Sequence, residues 1–182
     1  MLQPKFLPFP ELTTERLLLR QLRSGDAPEL FFLRSDERVL RYLGKEPAST
    51  IEEVEAFMKA IENNLASGDG ILWGIEMLDN PGKLIGTICF WNLQKENDRA
   101  EIGFVLHPDH WRKGIMKEAI FSVIDYGFGP LSLHSIEACL TADNKGSAAV
   151  LESTGFVREG YFKEYFYFRG KYSDTLVYSR LK

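Results

Sequence analysis

Phe104-Val-Leu-His-Pro-Asp-His-Trp-Arg-Lys-Gly-Ile-Met-Lys-Glu-Ala119 leaves an apolar run, crosses a loop punctuated by Pro and Gly, and enters an amphipathic segment. The run from Ala100 to His107 reads as a strand. Met116, Ala119, Ile120, Val123 and Ile124 recur at helical spacing, which predicts a helix over about 114–127. Ser135 to Thr141 returns to strand character. A strand, a helix and a strand in so short a span form a βαβ unit, so the two strands should run parallel. The loop leaves the carboxyl end of the first strand, where α/β sheets usually bind ligands. Amides from Arg112 to Lys117 would point outward at the helix N-terminus, where the helix dipole adds roughly half a positive charge. Gly114 lets the backbone turn tightly and approach a phosphate, while Arg112 and Lys113 add side-chain charge. The stretch is suited to an anion.

Working outward, Glu15 to Leu22 reads as an opening strand, and Ser24 and Asp26 offer caps for a short helix through Leu30 and Phe31. Ile51, Val54, Phe57, Met58, Ile61 and Leu65 predict a helix over 51–67, opened by a Thr50/Glu53 capping box and ended near Gly68. From Ile71 to Met77 the period is two, and Asn80-Pro81-Gly82 should turn that strand into Leu84–Phe90. A short helix follows Asn144. The tail alternates from Phe156 to Phe168, turns at Arg169-Gly170-Lys171 and finishes in Thr175–Leu181. The order is βααβββαβαββ: an α/β (α+β mixed) architecture with a central sheet of about seven strands flanked by helices. Without repeats or a linker, residues 1–182 read as one domain.

The 182 residues carry 26 acidic and 22 basic side chains, a net charge of -4, so a broad basic surface for nucleic acid is not expected. Any anion site must be local. No run reaches a membrane span, and Met1-Leu-Gln-Pro-Lys-Phe6 lacks the order of a signal peptide, so the expected location is cytoplasmic. Cys89 and Cys139 lie in apolar, β-rich runs and read as two buried thiols. There is no Walker loop, and Gly127-Phe-Gly129 has Ser132 where a dinucleotide fingerprint needs glycine. His107-Pro-Asp-His110 lacks a third ligand and adjoins Arg112 and Lys113, so no metal is expected. In Tyr161-Phe-Lys-Glu-Tyr-Phe-Tyr-Phe168, alternation predicts one side in the core and the other along an acceptor groove.

Four segments together resemble the GNAT superfamily of acyl-CoA N-acyltransferases, within it the branch of ribosomal-protein N-terminal alanine and serine acetyltransferases. They are Leu12-Thr-Thr-Glu-Arg-Leu-Leu-Leu-Arg20 with Asp26; Ala100-Glu-Ile-Gly-Phe-Val-Leu-His-Pro108; Trp111-Arg-Lys-Gly-Ile-Met-Lys-Glu-Ala119; and Asn144-Lys-Gly-Ser147 followed by Gly155-Phe156 and Glu159-Gly160. The resemblance implies acetyl-CoA as the acyl donor, its pantetheine pairing with the backbone of Phe104, Val105 and Leu106. Its pyrophosphate would sit on amides of Arg112, Lys113, Gly114, Ile115, Met116 and Lys117. The family motif Gln/Arg-x-x-Gly-x-Gly/Ala falls on Trp111 to Met116, so Trp111 and Met116 depart from it. Asn144 would reach cofactor or an ordered water, or cap a helix. Ser147 would protonate the departing CoA thiolate.

The carboxylate that this branch places in the tail strand falls on Phe166, and another subfamily's falls on Cys139. Glu101, Glu137 and Glu164 remain as bases, and Glu101, at the start of the strand that would hold the cofactor, is preferred, acting through water. An N-terminal amine with a pKa near 8 is roughly one-fifth neutral at pH 7.4, a lysine amine only about one part in a thousand. Poor basic equipment suits the former: direct attack of a primary amine on the thioester, with the oxyanion held near Val105 and Leu106. The acceptor could be a protein N-terminal α-amine or a small amine such as a polyamine, aminoglycoside or amino acid. A CoA-binding module without turnover is the rival reading, and the resemblance leaves room for a homodimer.

Overall fold

The computed structural model describes residues 2–182. Its elements are β1 (Leu12–Thr13), β2 (Leu17–Arg20), α1 (Ala27–Ser35), α2 (Glu37–Leu40), α3 (Ile51–Ser67), β3 (Ile71–Met77), β4 (Asn80–Gln94), β5 (Arg99–Leu106), α4 (Ile115–Phe128), β6 (Ser135–Thr141), α5 (Lys145–Ser153), β7 (Val157–Phe168) and β8 (Lys171–Leu181). One sheet of eight strands runs in the order β1-β2-β3-β4-β5-β6-β8-β7. β5 and β6 pair in parallel, as the βαβ reading required, and every other pair is antiparallel. Among the described residues no helix is long and apolar enough to cross a membrane.

Two short elements escaped the periodicity. β1 has two residues, joined to β2 through Thr14, whose backbone N–H donates to the Leu17 carbonyl and whose Oγ1 accepts from Leu17 N–H. α2 is a four-residue turn started by Asp36, which accepts from the Arg38 and Val39 amides. The β3–β4 turn also falls earlier than Asn80-Pro81-Gly82. Met77 pairs with Asn80, leaving Leu78 and Asp79 at the turn, and Glu76 pairs with Leu84, so Pro81 to Lys83 form a bulge. Pro81 has no N–H to lose from the ladder there.

The sheet is covered on both faces. Ala100, Ile102 and Leu106 of β5 join Trp73, Phe90, Ile120, Val123 and Leu133 in the larger core, whereas Val105 packs against Leu30, Leu33, Val54 and Leu84 under α1 to α3. Strand alternation separates the two sets. Thr50 Oγ1 accepts from Glu53 N–H, Glu53 reaches back to Ser49 N–H, and Gly68 closes α3 at φ +70°.

A buried ion triad ties β2 to β3. The Arg20 guanidinium, 1% exposed, holds Asp26 through two bonds of 2.7 and 2.8 Å and donates its Nε–H to Glu76. Burial pushes the Asp26 carboxyl up, but Arg20 and the Arg23 amide outweigh it and hold the group below its ordinary value. Removing the cation would strand two carboxylates out of water. Arg20→Met should therefore lower unfolding free energy by about 3–5 kcal/mol in urea titrations, while Arg38→Ala, at the exposed Asp36 pair, should leave the midpoint near wild type.

Candidate active site

β5 and β6 pair over only Arg99↔Ser135, Ala100↔Ile136 and Glu101↔Glu137. Beyond that point β5 continues along β4 as far as Leu106, and β6 continues along β8 as far as Thr141. The sheet thus divides into a wedge with its apex at Glu101 and Glu137. His107 N–H donates to the Ile85 carbonyl, which sets the alternation on β5: Val105 and Gly103 turn their polar backbone groups toward β4, and Phe104 and Leu106 turn theirs into the wedge. Of the two amides considered for an oxyanion, Leu106 faces the gap and Val105 faces β4. Trp111 Nε1 donates to the outward Leu106 carbonyl at 2.7 Å, anchoring the loop to the strand end.

α4 begins directly after that loop. Gly114 caps it at φ +74°, a conformation that favours glycine, and Glu118 N–H donates to the Gly114 carbonyl at 3.1 Å. The amides of Ile115, Met116 and Lys117 precede the first intrahelical bond and are free of the ladder. Ile115 and Met116 bury their side chains in the larger core, 2% and 7% exposed. The Met116 side chain therefore points away from the amides, and its bulk does not fill the place where phosphate would lie. Arg112 takes φ +60° and, like Lys113, is exposed.

Sequence reasoning missed Arg16. Its Nε lies 2.7 Å from Glu118 Oε2, its Nη1 donates to the Lys113 carbonyl at 3.0 Å, and its backbone N–H donates to Glu118. Thr14 Oγ1 donates to the same carboxylate at 2.5 Å. The β1–β2 turn therefore fixes the α4 loop and adds a third cation beside Arg112 and Lys113. The available signal was the charged turn inside Leu12–Arg20, where Arg16 flanks an apolar strand.

At the wedge apex, Glu101, Glu137 and Cys139 bring one donor atom each within 4.8 Å of one another. Glu101 is 8% exposed. Burial first, and the neighbouring Glu137 carboxylate second, push its pKa up to about 7, against hydrogen bonds from Asn92 and Cys139. Cys139 corrects the expectation of two buried thiols: its side chain is exposed, and Cys89 is half-buried. Desolvation and the two carboxylates push the Cys139 thiol up to about 12, so it holds its proton. Glu164 is elsewhere, in the exposed part of β7, where its N–H donates to Asp174 at 2.8 Å.

Asn144 caps α5, its Oδ1 accepting from Ser147 N–H at 3.1 Å, and Ser147 sits half-buried in the first turn. His107 stacks on Phe32 at 4.4 Å and accepts from Asp109 N–H.

The tail strand differs from the alternating picture. β7 is the sheet edge, and Tyr161, Phe162, Tyr165, Phe166 and Tyr167 are all exposed. Phe162 pairs with Thr175 and Phe166 with Ser173, so Lys163 to Tyr165 bulge opposite Asp174 and break the period. Phe166 lies on Gly44, where a Cβ would run into its ring, and Arg169 pairs with Glu46. These contacts join the end of the β7–β8 hairpin to the segment between α2 and α3.

Residues 16–157 match the model of the acetyltransferase (GNAT) domain family. The uncharacterized N-acetyltransferase YoaA of Bacillus subtilis (strain 168) is 41% identical over 174 residues, 96% of this chain and 98% of that protein. The crystal structure of a ribosomal-protein-S5-alanine acetyltransferase from Vibrio fischeri has a TM-score of 0.83 at 25% identity, covering 94% of this chain and 96% of the other. That of a spermidine N-acetyltransferase from Vibrio cholerae, in complex with CoA and spermine, has a TM-score of 0.81 at 26% identity, covering 92% and 96%. An open strand edge running into a basic, amide-lined helix start, together with these matches over nearly the whole length, establishes that the chain belongs to the GNAT acetyltransferases, enzymes that transfer an acetyl group from acetyl-CoA to an amine.

Proposed function

We propose that this chain acetylates the α-amine of a peptide or protein N-terminus, by direct attack on the thioester and within one domain spanning 1–182. The observation that carries the acceptor class is the position of Glu101, buried at the wedge apex with a pKa of about 7. Moving a proton to it from an α-ammonium of pKa about 8 costs about 1.4 kcal/mol, and from a lysine-like amine near 10.4 about 4.6 kcal/mol. A base matched to the first is poorly matched to the second. The relative named for ribosomal protein S5 alanine is in keeping with this choice. A polyamine is the second reading, favoured by the relative named for spermidine.

The residues present fit acetyl-CoA. Phe104 and Leu106 offer outward backbone groups, the amides of Arg112 to Lys117 with Arg16 offer positive charge, and Asn144 sits across the wedge at the start of α5. Bound there, acetyl-CoA supplies the activated acetyl carbonyl. Glu101 takes one proton from the acceptor's ammonium through water and releases it to solvent. Ser147 gives its hydroxyl proton to the departing sulfur and recovers one from the acceptor nitrogen, so one proton leaves in each turnover. The Leu106 N–H, facing the wedge, is placed to stabilise the carbonyl oxygen.

Acetyl-CoA at one hundred times its Kd should raise stability by about 2.7 kcal/mol in thermal unfolding. Gly114→Ala, strained at positive φ by about 1–2 kcal/mol, should weaken that shift more than it weakens the free protein. No shift in the wild type would refute the donor site.

Thiol release from acetyl-CoA should be faster with peptides carrying a free N-terminus than with polyamines, aminoglycosides or their N-blocked counterparts. Ser147→Ala should lower kcat at least about tenfold, and Asn144→Ala should raise KM for acetyl-CoA. An unchanged kcat in the first or an unchanged KM in the second removes that role.

A further inference from the structure

Two carboxylates in register on neighbouring strands are a costly arrangement, because like charges side by side destabilise a sheet. The pair Glu101↔Glu137 is the last before the parallel strands part, so both side chains project on the same face at the wedge apex. Their environments differ. Glu101 is 8% exposed and touches no cation in the described structure, whereas Glu137 is half-buried and faces Arg99, whose Nη1 lies 3.7 Å from its Oε2. Arg99 is itself held by a 2.8 Å bond from Nε to Ser135 Oγ. The two glutamates are thus unequal: Glu137 carries a counter-ion and is the more open to solvent, and Glu101 is the more buried and has no cation beside it.

Resting on the reading of Glu101 as the base, we propose that Glu137, anchored by Arg99, is a positioning residue whose fixed negative charge keeps Glu101 a proton acceptor matched to an α-ammonium. Toward Glu101, β6 supplies Glu137 and the protonated Cys139, β4 supplies the Asn92 side chain and Cys89, and Lys45, from the segment before α3, acts on Cys89. The Asn92 side chain and the Cys139 backbone and thiol favour the charged Glu101 carboxylate, burial and Glu137 oppose them, and the thiol also donates to Glu137 Oε1 at 3.9 Å. Glu137 is the one anion acting on Glu101 in this set, and Arg99 partly offsets that anion. Neutralising Glu137 should therefore make Glu101 a stronger acid, and removing Arg99 should make it a weaker one. A merely structural role for the pair has no reason to produce shifts of opposite sign.

The test is a pH titration of the 13C-labelled glutamate carboxyls by NMR in the resting protein, with the Glu101 signal assigned by its loss in Glu101→Gln. The expected wild-type midpoint is about 7. Glu137→Gln should lower it by about one pH unit, and Arg99→Leu should raise it by about half a unit. A midpoint unmoved in Glu137→Gln, or moved the same way in both variants, overturns the tuning role. If Arg99→Leu does not fold, the isosteric Glu137→Gln decides alone. Turnover separates the two claims. Glu101→Gln with wild-type kcat overturns the base reading and this proposal with it, whereas a lost kcat with an unmoved Glu137→Gln midpoint overturns only the tuning.

Discussion

The early end of the β5–β6 ladder is the constraint on which the site depends. Parallel pairing lasts for three residues, after which each strand keeps only its antiparallel neighbour on the other side. Both halves of the sheet remain paired and twisted, so the break costs little regular structure, yet it leaves backbone donors and acceptors of Phe104 and Leu106 without a strand partner. Groups of that kind are costly when sealed away from water and unpaired. Here one is already taken by Trp111, and the remainder line a gap open to an extended ligand. The same break sets Glu101 and Glu137 side by side as the last in-register pair of the two strands.

Charge is arranged along that wedge by the same geometry. The protein is acidic overall, with a net charge of -4, yet Arg16, Arg112, Lys113 and the α4 amides lie together at one end. The carboxylates lie at the other. That arrangement suits the proposed function, with phosphate at one end of the wedge, an ammonium at the other and the reacting carbonyl between them. Glu118 contributes by satisfying both Thr14 and Arg16, which keeps the first strands clamped to the helix that carries the amides. Position, rather than the number of basic residues, is what suits this end of the wedge to an anion.

The parts legible in the sequence are those governed by local periodicity and capping. β6, α3 with its Thr50 cap, α4 and the parallel relation of β5 to β6 follow from residues close in the chain. β1 and α2 were not legible, because two- and four-residue elements have no period to detect. The exposure of Cys139 and β7 was hidden for a different reason. An apolar strand segment looks the same whether its neighbour continues beside it or diverges, and only the register shows that β6 leaves β5 after Glu137. Arg16 likewise became visible only when Glu118, 102 positions away, closed on it. The Glu101–Glu137 pairing needed the register of two strands separated by a whole helix.

Phe166 shows how these constraints bear on the chemistry. It occupies the place where the resembled branch carries a tail-strand carboxylate, and its ring lies against Gly44, beside the Arg169–Glu46 pair. An ionised side chain at that position would lose the apolar contact for which Gly44 leaves room. With the tail strand serving as a clasp, the proposed proton transfer falls to the β5–β6 apex. Of the strand carboxylates, Glu101 is the one kept from solvent at the split in the sheet, and a buried carboxyl beside a second carboxylate is the arrangement that raises basicity without a histidine. An aromatic clasp at Phe166 and a glutamate pair at the apex are compatible in one sheet because they lie at different strands of it.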